Sequence, residues 1–433
     1  MVIQRQQYLD RLISKKENGY IKVITGVRRC GKSYLLFNLY HEHLNSIGVN
    51  DSHIIELPLD EAANARYRNP LELDNYIRKL VADKSQMYYI FLDEIQKVSD
   101  IQNPYIDDAS AKIGFVDVLL GLMKLKNVDL YVTGSNSKML SSDIVTEFRD
   151  RGDEIRMYPL SFKEFYAAFD GEQRHAWREY YTYGGMPAVM SRRTHEDKSK
   201  YLKDLFDKTY ITDVIERHRI LNEKEVLEEL LNIVSSAIGS LTNPTKLSKT
   251  YKSVKGKSIT PHTISAYLDF FVDAFILRKA FRYDIKGKKY IDSPLKYYFT
   301  DVGLRNARLN FRQQEENHIM ENVIYNELVT RGFDVDVGVV QYNHRDKDGK
   351  SQRSQFEVDF VANKSSQRYY IQSALTVDSA DKREQETNSL NRIRDSFKRV
   401  VVVKDDIIPW HDDNGILYIG IEEFLLSEAA MDA

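Results

Sequence analysis

Residues 26 to 33 read Gly26-Val27-Arg28-Arg29-Cys30-Gly31-Lys32-Ser33. This is the pattern G-x-x-x-x-G-K-S, in which glycines let the backbone wrap around phosphate groups and the loop amides favour their negative charge. Residues 20–24 have the apolar character of a buried strand, and residues 34–40 have the pattern of an amphipathic helix. Because a strand, this loop and a helix follow one another, the sequence predicts a phosphate-binding P-loop rather than a chance match in a structural turn.

Every residue of this loop is therefore a candidate nucleotide contact. Lys32 is expected to reach the β- and γ-phosphates of a nucleoside triphosphate, and Ser33 is expected to bind Mg²⁺ through its hydroxyl. Cys30 occupies a variable position of the pattern. We interpret Cys30 as a small side chain and not as a nucleophile.

A second motif is the apolar run at residues 88–92, which ends in Asp93 and Glu94. Continuous apolar runs are typical of strands in parallel sheets that are covered on both faces, and ligands bind at the carboxyl ends of such strands. Asp93 is predicted to hold Mg²⁺, the role of a Walker B aspartate, and Glu94 to orient or deprotonate the attacking water. Together with the Walker A pattern of the P-loop, this acid pair predicts hydrolysis of a nucleoside triphosphate.

Two further strands are predicted at residues 53–57 and 129–136, the second after an apolar helix at residues 115–125. Alternating strands and helices predict an α/β fold, a P-loop NTPase with a doubly wound parallel sheet. Asn136 lies at the tip of the last strand, where its side chain could reach the γ-phosphate or the attacking water. In the alternative interpretation, Ser135 and Asn136 only cap the next helix.

The composition is that of a globular protein with several domains. The chain has 433 residues, 42% of them hydrophobic and 29% charged, and a formal net charge of −2. A chain of this length is expected to form two or three domains. No run approaches the roughly 20 apolar residues that span a bilayer, and no signal-peptide pattern is present, so we expect a cytoplasmic protein without a membrane partner. The one cysteine excludes an internal disulfide framework and a cysteine-based zinc site.

Over nearly its whole length the chain resembles a bacterial and archaeal family of AAA+-superfamily ATPases. The matching segments are residues 24–33, 91–96, 133–137, 158–162 and 183–187. The last two are the more diagnostic, because a generic P-loop protein has no reason to carry them. The resemblance implies binding of ATP and Mg²⁺, ATP hydrolysis, and a C-terminal domain of unknown function with a nuclease-like core. It implies no substrate.

The same family places a Gly-Arg pair before a strand of sequence Tyr-Pro-Leu-Ser-Phe, and Asp150-Arg151 stands at the matching positions here. Arg151 resembles an arginine that senses the γ-phosphate or acts as a finger on a neighbouring copy of the chain, so a homo-oligomer is an expected partner. Arg149 is the second candidate for this role. The alternative is that residues 147–151 form a solvated charged turn. Arg28 and Arg29 also match the family's loop, where they could contact phosphate or an acidic neighbour.

The middle of the chain has the order of elements of a winged helix: helical patterns around residues 227–234, 243–248 and 260–268, then a hairpin pattern at residues 281–290. Lysines cluster before the last helix and in the hairpin, namely Lys246, Lys249, Lys252, Lys255, Lys257, Lys286, Lys288 and Lys289. A helix with a basic wing can hold a DNA backbone without reading its sequence. Alternatively, the domain is a lid or a protein-interaction module and the lysines are only solvated.

The last third resembles a restriction-endonuclease-like fold, with an amphipathic helix at residues 317–328 and strands at 335–340, 356–361, 369–372 and 399–403. Such nucleases gather carboxylates around a divalent metal and use a lysine to activate water. Glu321 and Asp359 keep the positions of two acids, whereas Gln372 replaces the third and Ala374 replaces the lysine. We therefore predict a degenerate nuclease fold that binds rather than cuts. Lys364 is the alternative source of the missing charge.

The sequence thus predicts a P-loop AAA+-like ATPase domain at residues 1–170, a helical lid and winged-helix domain at 171–305, and a restriction-endonuclease-like domain at 306–433. ATP hydrolysis would rearrange the last two around a macromolecular partner, with DNA as a candidate. The alternatives are an ATP-switched DNA-binding regulator or defence protein with little turnover, and an ATP-gated nuclease.

Overall fold

A computed structural model describes residues 3–134, 151–211, 214–215, 218, 220, 224–256, 258–312, 315–345 and 351–432. The chain divides into two compact units. The first is Met1–Pro159 with Asp273–Phe275, and the second is Leu160–Val272 with Ile276–Ala433. The division into three domains with boundaries after residues 170 and 305 stays a prediction.

The first unit is built on a parallel sheet. In its described part the strands are β1 (Ile21–Thr25), β2 (Ile54–Pro58), β3 (Tyr88–Asp93), β4 (Ile101–Gln102), β5 (Lys112–Ile113), β6 (Val128–Gly134) and β7 (Gly152–Arg156). β4 and β5 form a separate antiparallel pair. The other five form one sheet in the order β2-β3-β6-β1-β7, with all neighbours parallel. This confirms the predicted parallel α/β sheet.

The helices of this unit are α1 (Gln6–Ser14), α2 (Lys32–Tyr34), α3 (His41–Ser46), α4 (Pro70–Leu80) and α5 (Phe115–Leu122). A π-helical segment, Leu35–Tyr40, joins α2 to α3, so one continuous helical stretch follows the P-loop. Asn69 caps α4, because its side chain accepts hydrogen bonds from the amides of Leu71 and Glu72 at 3.0 and 3.4 Å.

Both faces of the parallel sheet are covered. Val23, Ile90 and Val132 belong to one buried cluster together with the apolar residues of α4 and α5. On the other face, the rings of Phe91 and Tyr131 lie 5.8 and 4.9 Å from that of Tyr40 in the π-helical segment. Burial on both faces explains why these strands read as continuous apolar runs.

From residue 160 onward the described helices are α6 (Phe162–Ala168), α7 (Ala176–Tyr183), α8 (His195–Leu205), α9 (Lys224–Ser236), α10 (Pro244–Lys255), α11 (Pro261–Asp273), α12 (Val302–Arg308), α13 (Glu316–Thr330), α14 (Ala380–Thr387) and α15 (Ile421–Leu426). Among the helices that the structure describes in the whole chain, none is both long enough and apolar enough to cross a membrane.

The second unit contains a large mixed sheet. Its strands in the described ranges are β8 (Leu241–Thr242), β9 (Leu277–Asp284), β10 (Lys289–Phe299), β11 (Asp334–Arg345), β12 (Ser351–Lys364), β13 (Gln367–Ala374), β14 (Lys398–Val403), β15 (Trp410–His411) and β16 (Ile416–Gly420). They lie in the order β15-β16-β14-β13-β12-β11-β9-β10-β8. The hairpin of β9 and β10 joins the C-terminal strands because β9 pairs in parallel with β11, with Arg282 opposite Val337. One sheet therefore continues across residue 305.

Two expectations about local structure are wrong. The segment at residues 158–162 is not a strand, because β7 ends at Arg156 and Ser161 caps α6. The Ser161 hydroxyl accepts a hydrogen bond from the Glu164 amide at 3.2 Å, and the Glu164 carboxylate accepts one from the Ser161 amide at 2.9 Å. This S-x-x-E capping box starts a helix where a strand was expected.

Helix α13 is also not amphipathic. Most of its residues are buried, including the polar Glu321, Asn322 and Glu327. These polar side chains have partners, since the Asn322 side chain accepts a hydrogen bond from the Phe299 amide at 2.7 Å and donates one to its carbonyl at 2.8 Å. The polar residues of α13 therefore form hydrogen bonds inside the unit and do not lie on an exposed face of the helix.

Candidate active site

The P-loop lies between β1 and α2, as predicted, and its two glycines adopt backbone conformations that other residues rarely adopt. Gly26 has a φ of +144° and Gly31 a φ of +103°. A Cβ atom on Gly26 would lie 2.1 Å from the backbone oxygen of Met157, so no side chain fits at this position. The glycines of the pattern are thus required by the path of the loop itself.

The ammonium group of Lys32 lies against the loop that precedes it. Its Nζ atom donates hydrogen bonds to the carbonyl oxygens of Gly26 and Val27 at 3.0 and 3.2 Å, and the residue is only 4% exposed. The loop therefore holds a cation at the point where the predicted phosphate contact requires one.

Asp93 lies at the carboxyl end of β3 and contacts Ser33 directly. The Ser33 hydroxyl donates to Asp93 Oδ2 at 2.7 Å, and the Thr133 hydroxyl donates to Asp93 Oδ1. Burial raises the pKa of Asp93 above the usual value of an aspartate, while these two hydrogen bonds act in the opposite direction. A hydroxyl and a carboxylate in contact are hard oxygen donors that suit Mg²⁺, so the predicted pair of metal ligands fits this ion.

Glu94 follows Asp93 in the left-handed conformation, with a φ of +53°. This conformation is uncommon for a residue with a side chain and recurs at functional sites. The Glu94 amide donates to the Thr133 hydroxyl at 3.0 Å, and its carboxylate accepts a hydrogen bond from the side-chain amide of Gln96. The neighbours Thr133 and Gln96 thus hold the backbone and the carboxylate of the predicted general base.

Sequence reasoning gave no role to Thr133 or Gln96. Strand β6 lies between β1 and β3, so the P-loop and the acid pair do not follow adjacent strands. Thr133 near the end of β6 bridges this gap by bonding to both Asp93 and Glu94. The signal in the sequence was a hydroxyl residue near the end of the strand now labelled β6. The sequence could not show that β6 lies beside β3, and so it did not point to Thr133.

Cys30 is a free, fully buried thiol whose sulfur lies 3.8 Å from the backbone oxygen of Met157. Its own carbonyl accepts a hydrogen bond at 3.1 Å from Arg5, a residue that also donates to the Tyr158 carbonyl at 2.7 Å. Arg5 thus ties the P-loop to the segment after β7, a contact that the sequence did not suggest.

Comparison with known proteins agrees with this geometry. Residues 18–166 match the family model described as an AAA domain, and residues 174–315 match a domain of unknown function (DUF8612). An uncharacterized protein of Haemophilus influenzae is 32% identical over 406 residues, which cover 93% of this chain and 93% of that protein. The chain belongs to the family of this protein. Its first part carries an AAA domain with the P-loop NTPase fold.

A more distant relative, an uncharacterized protein of Methanocaldococcus jannaschii, is 29% identical over 329 residues, which cover 72% of this chain and 67% of that protein. Among solved structures, Cdc6p from Pyrobaculum aerophilum is 11% identical, with a TM-score of 0.29 over 74% of this chain and 96% of that one. A likeness this weak has no bearing on function.

Not every candidate residue of the AAA domain lies beside the P-loop. Arg151 is exposed and directly precedes β7. Strand β7 runs parallel to β1, with Gly152 opposite Ile21 and Arg156 opposite Thr25. Arg151 therefore lies at the amino ends of these strands, whereas the P-loop follows the carboxyl end of β1. Its role as a finger toward a neighbouring copy stays a prediction, whereas contact with the nucleotide of its own chain does not fit this placement.

Asn136 lies outside the described residues, so its role stays a prediction. Of the loop arginines, Arg28 is half-buried, and Arg29 is exposed with a φ of +62°. Arg156 ends β7 in register with Thr25, directly before the P-loop. Arg156 is therefore the arginine of β7 that lies at the nucleotide edge of the sheet, and sequence reasoning missed it.

The second unit brings Glu321 and Asp359 into one buried cluster with a residue that the sequence did not suggest. The Lys296 ammonium on β10 lies 2.9 Å from Glu321 Oε1 and 2.7 Å from Glu357 Oε1. The Tyr298 hydroxyl donates to the same Glu321 oxygen at 2.6 Å. Burial, and then the Glu321 charge, raise the pKa of Asp359 to about 8.

Neither Gln372 and Ala374, which replace the third acid and the lysine of a nuclease, nor Lys364 brings a free charge to this cluster. The Gln372 side chain accepts a long hydrogen bond, 3.4 Å, from the Asp359 amide, and Ala374 is buried. Lys364 donates to the Arg331 carbonyl at 2.7 Å, so its charge is used there. Within the described residues, no group of three or more histidine, cysteine or acidic side chains is arranged to hold a metal ion.

Proposed function

We propose that the AAA domain binds ATP with Mg²⁺ and hydrolyses it. The observation that carries this proposal is the contact of Ser33 with Asp93, next to Glu94, at the carboxyl ends of parallel strands. Phosphate binding alone needs only the P-loop. Hydrolysis also needs metal ligands, here Ser33 and Asp93, and a carboxylate that can position the attacking water, here Glu94.

Each residue has one task in this reaction. Lys32 would exchange its contacts with the loop carbonyls for the β- and γ-phosphates and neutralise their charge. Ser33 and Asp93 would hold Mg²⁺, which stabilises the negative charge that develops on the phosphate oxygens. Glu94, oriented by Gln96, would position the attacking water and accept its proton.

The test compares two variants in a phosphate-release assay and a nucleotide-binding assay. Lys32→Ala should lose ATP binding, because it removes the charge that neutralises the phosphates. Glu94→Gln should bind ATP like the wild type and hydrolyse it far more slowly, because only the base is lost. Equal turnover of the wild type and Glu94→Gln would show that the assignment of the base is wrong.

A homo-oligomer is part of the proposal, because Arg151 lies away from the P-loop of its own chain. If Arg151 acts on a neighbouring subunit, the hydrolysis rate per subunit rises with protein concentration. Arg151→Ala should then lower the rate by on the order of 10³-fold while ATP affinity is kept. A rate that is independent of concentration and survives the substitution would make Arg151 a surface residue.

For the second unit we propose a winged helix that contacts DNA. The order α9, β8, α10, α11, β9, β10 and the pairing of β8 with β10 support this proposal. Lys246, Lys249 and Lys252 are exposed along α10, while the side chain of Lys255 and the whole of Lys257 lie outside the described residues. A lid or a protein-interaction module is the alternative use of the same elements.

We further propose that the C-terminal part is a degenerate restriction-endonuclease-like fold. The placement of Lys296 between Glu321 and Glu357 supports this, because an ammonium group there neutralises carboxylates that would otherwise attract a divalent ion. A plasmid-nicking assay with Mg²⁺ and Mn²⁺ should detect no cleavage. Cleavage by the wild type that is lost in Asp359→Ala would make this an ATP-gated nuclease instead.

A further inference from the structure

The second unit has an open cavity of about 490 Å³ at the tip of the β9–β10 hairpin. Three segments far apart in the sequence line it: the hairpin tip with Lys286 and Lys288, residues 340–342 of β11, and the segment before β14 with Arg392 and Arg394. Asp395 is the acidic residue of the lining. Four basic side chains against one carboxylate make this cavity a site for an anionic ligand.

Most of this charge is available to a ligand. Lys286, Lys288 and Arg394 are exposed and form no ion pair with any residue that the structure describes. The Asp395 carboxylate already accepts hydrogen bonds from the Tyr370 hydroxyl at 2.6 Å and from the Phe397 amide at 3.2 Å. The carboxylate thus has partners of its own, and the cavity keeps an excess of positive charge.

Arg392 is held in place before any ligand arrives. Its guanidinium lies 4.2 Å from the ring centre of Tyr342 and 4.4 Å from that of Phe356, and its Nε donates to Asn388 at 2.8 Å. A cation fixed in this way loses little conformational entropy when it binds phosphate.

Aromatic rings continue from the cavity along the sheet. Tyr290 is 61% exposed and its ring lies 5.5 Å from that of Tyr283. Arg368 lies over both Tyr283, at 5.6 Å, and Phe397, at 5.2 Å, and Phe397 is 41% exposed. The Tyr290 hydroxyl donates to Asp336 at 3.1 Å, which orients the exposed ring. Two exposed rings, Tyr290 and Phe397, thus lie on either side of Arg368 and the half-buried ring of Tyr283.

We propose that this surface binds single-stranded nucleic acid, with phosphates on the cations of the cavity and bases stacked on the exposed rings. Unpaired bases can reach aromatic side chains, whereas the bases of a duplex are already stacked on one another. The row of rings also extends beyond a single cavity, which favours a strand over a free nucleotide. The inference deepens the nucleic-acid part of the proposed function and rests on it.

The test measures binding of a fluorescent oligo(dT) strand of about 20 nucleotides by anisotropy, at several salt concentrations. The triple variant Lys286→Ala/Lys288→Ala/Arg394→Ala should bind more weakly and lower the slope of log K against log salt by about 2, since each phosphate contact on a single strand contributes about 0.7. Tyr290→Ala should weaken binding by about 5- to 150-fold, the range for loss of one stacked base. Unchanged melting temperatures would show that the variants are folded.

A matched control uses exposed lysines of the same unit, in Lys246→Ala/Lys249→Ala/Lys252→Ala on α10. This variant should lose duplex binding and keep oligo(dT) binding. If only the α10 variant weakens binding, and the cavity and Tyr290 variants bind duplex and oligo(dT) like the wild type, the inference is wrong and the proposed winged helix stands. If the wild type binds neither duplex nor oligo(dT), the inference and the DNA part of the proposed function fail together. If AMP displaces the labelled oligo(dT) as strongly as unlabelled oligo(dT) does, the surface binds a free nucleotide and the proposal of a single strand is wrong.

Discussion

The contact between Gln96 and Glu94 provides a sharp test of how the AAA domain holds its proposed base. The side-chain amide of Gln96 donates to the Glu94 carboxylate. We predict that Gln96→Leu lowers the kcat of ATP hydrolysis and leaves nucleotide affinity unchanged. Leucine is close to glutamine in size but cannot donate this hydrogen bond, so the Glu94 carboxylate would occupy other orientations.

The size of the effect follows from the strength of this contact. A hydrogen bond to a charged group contributes about 1.5–3 kcal/mol, and each 1.36 kcal/mol removed from transition-state stabilisation lowers a rate tenfold. If the whole contribution orients Glu94, kcat falls by about 10- to 150-fold. The Ser33–Asp93 contact and the loop around Lys32 do not involve Gln96, which is why affinity should be kept.

Two measurements separate orientation from binding. Phosphate release at saturating ATP gives kcat, and titration with a fluorescent ATP analogue gives affinity. The double variant Glu94→Gln/Gln96→Leu should be no slower than Glu94→Gln alone, because Gln96 acts through Glu94. A kcat of Gln96→Leu equal to that of the wild type, or an equal loss in both backgrounds, would refute this reasoning.

Three further predictions concern buried charges. Lys22→Met leaves the carboxylate of Asp129 buried without its ion pair and should destabilise the first unit by about 3–5 kcal/mol, whereas adding Asp129→Leu should restore much of the loss in urea unfolding. Lys296→Met should lower the melting temperature, and adding Glu321→Gln should recover part of it; no change in the single variant would show that the ammonium is not needed there. Burial raises the pKa of Asp301 to about 6, so its contribution to stability is present below pH 4 and is lost as pH rises through 6, by about 3 kcal/mol. Melting temperatures from pH 4 to pH 7 should therefore fall more steeply for the wild type than for Asp301→Asn, and parallel curves would contradict this.

The amino-acid sequence by itself determined the local features of the nucleotide site. The P-loop pattern predicted the strand–loop–helix segment, because the two glycines are needed for backbone conformations that the loop adopts at Gly26 and Gly31. The apolar run before Asp93 predicted β3 and the carboxylate at its carboxyl end. These features depend on neighbours in the chain, and neighbours in the chain can be read from sequence.

Tertiary structure decided which side chains complete these features. The order of strands inserts β6 between β1 and β3, and so brings Thr133 to Asp93 and Glu94. The parallel pairing of β7 with β1 places Arg151 at the opposite end of these strands from the P-loop. Lys22, which alternates with apolar residues like a solvent-facing position, is instead buried against Asp129.

The second unit gives the same lesson over longer distances. Lys296 meets Glu321 and Glu357 only because β10 and β12 belong to one sheet with α13 packed against it. The cations of the hairpin tip and of the segment before β14 share a cavity although roughly a hundred residues separate them. Contacts of this kind depend on strand pairing between distant segments, and the pattern within any one segment contains no information about its partner.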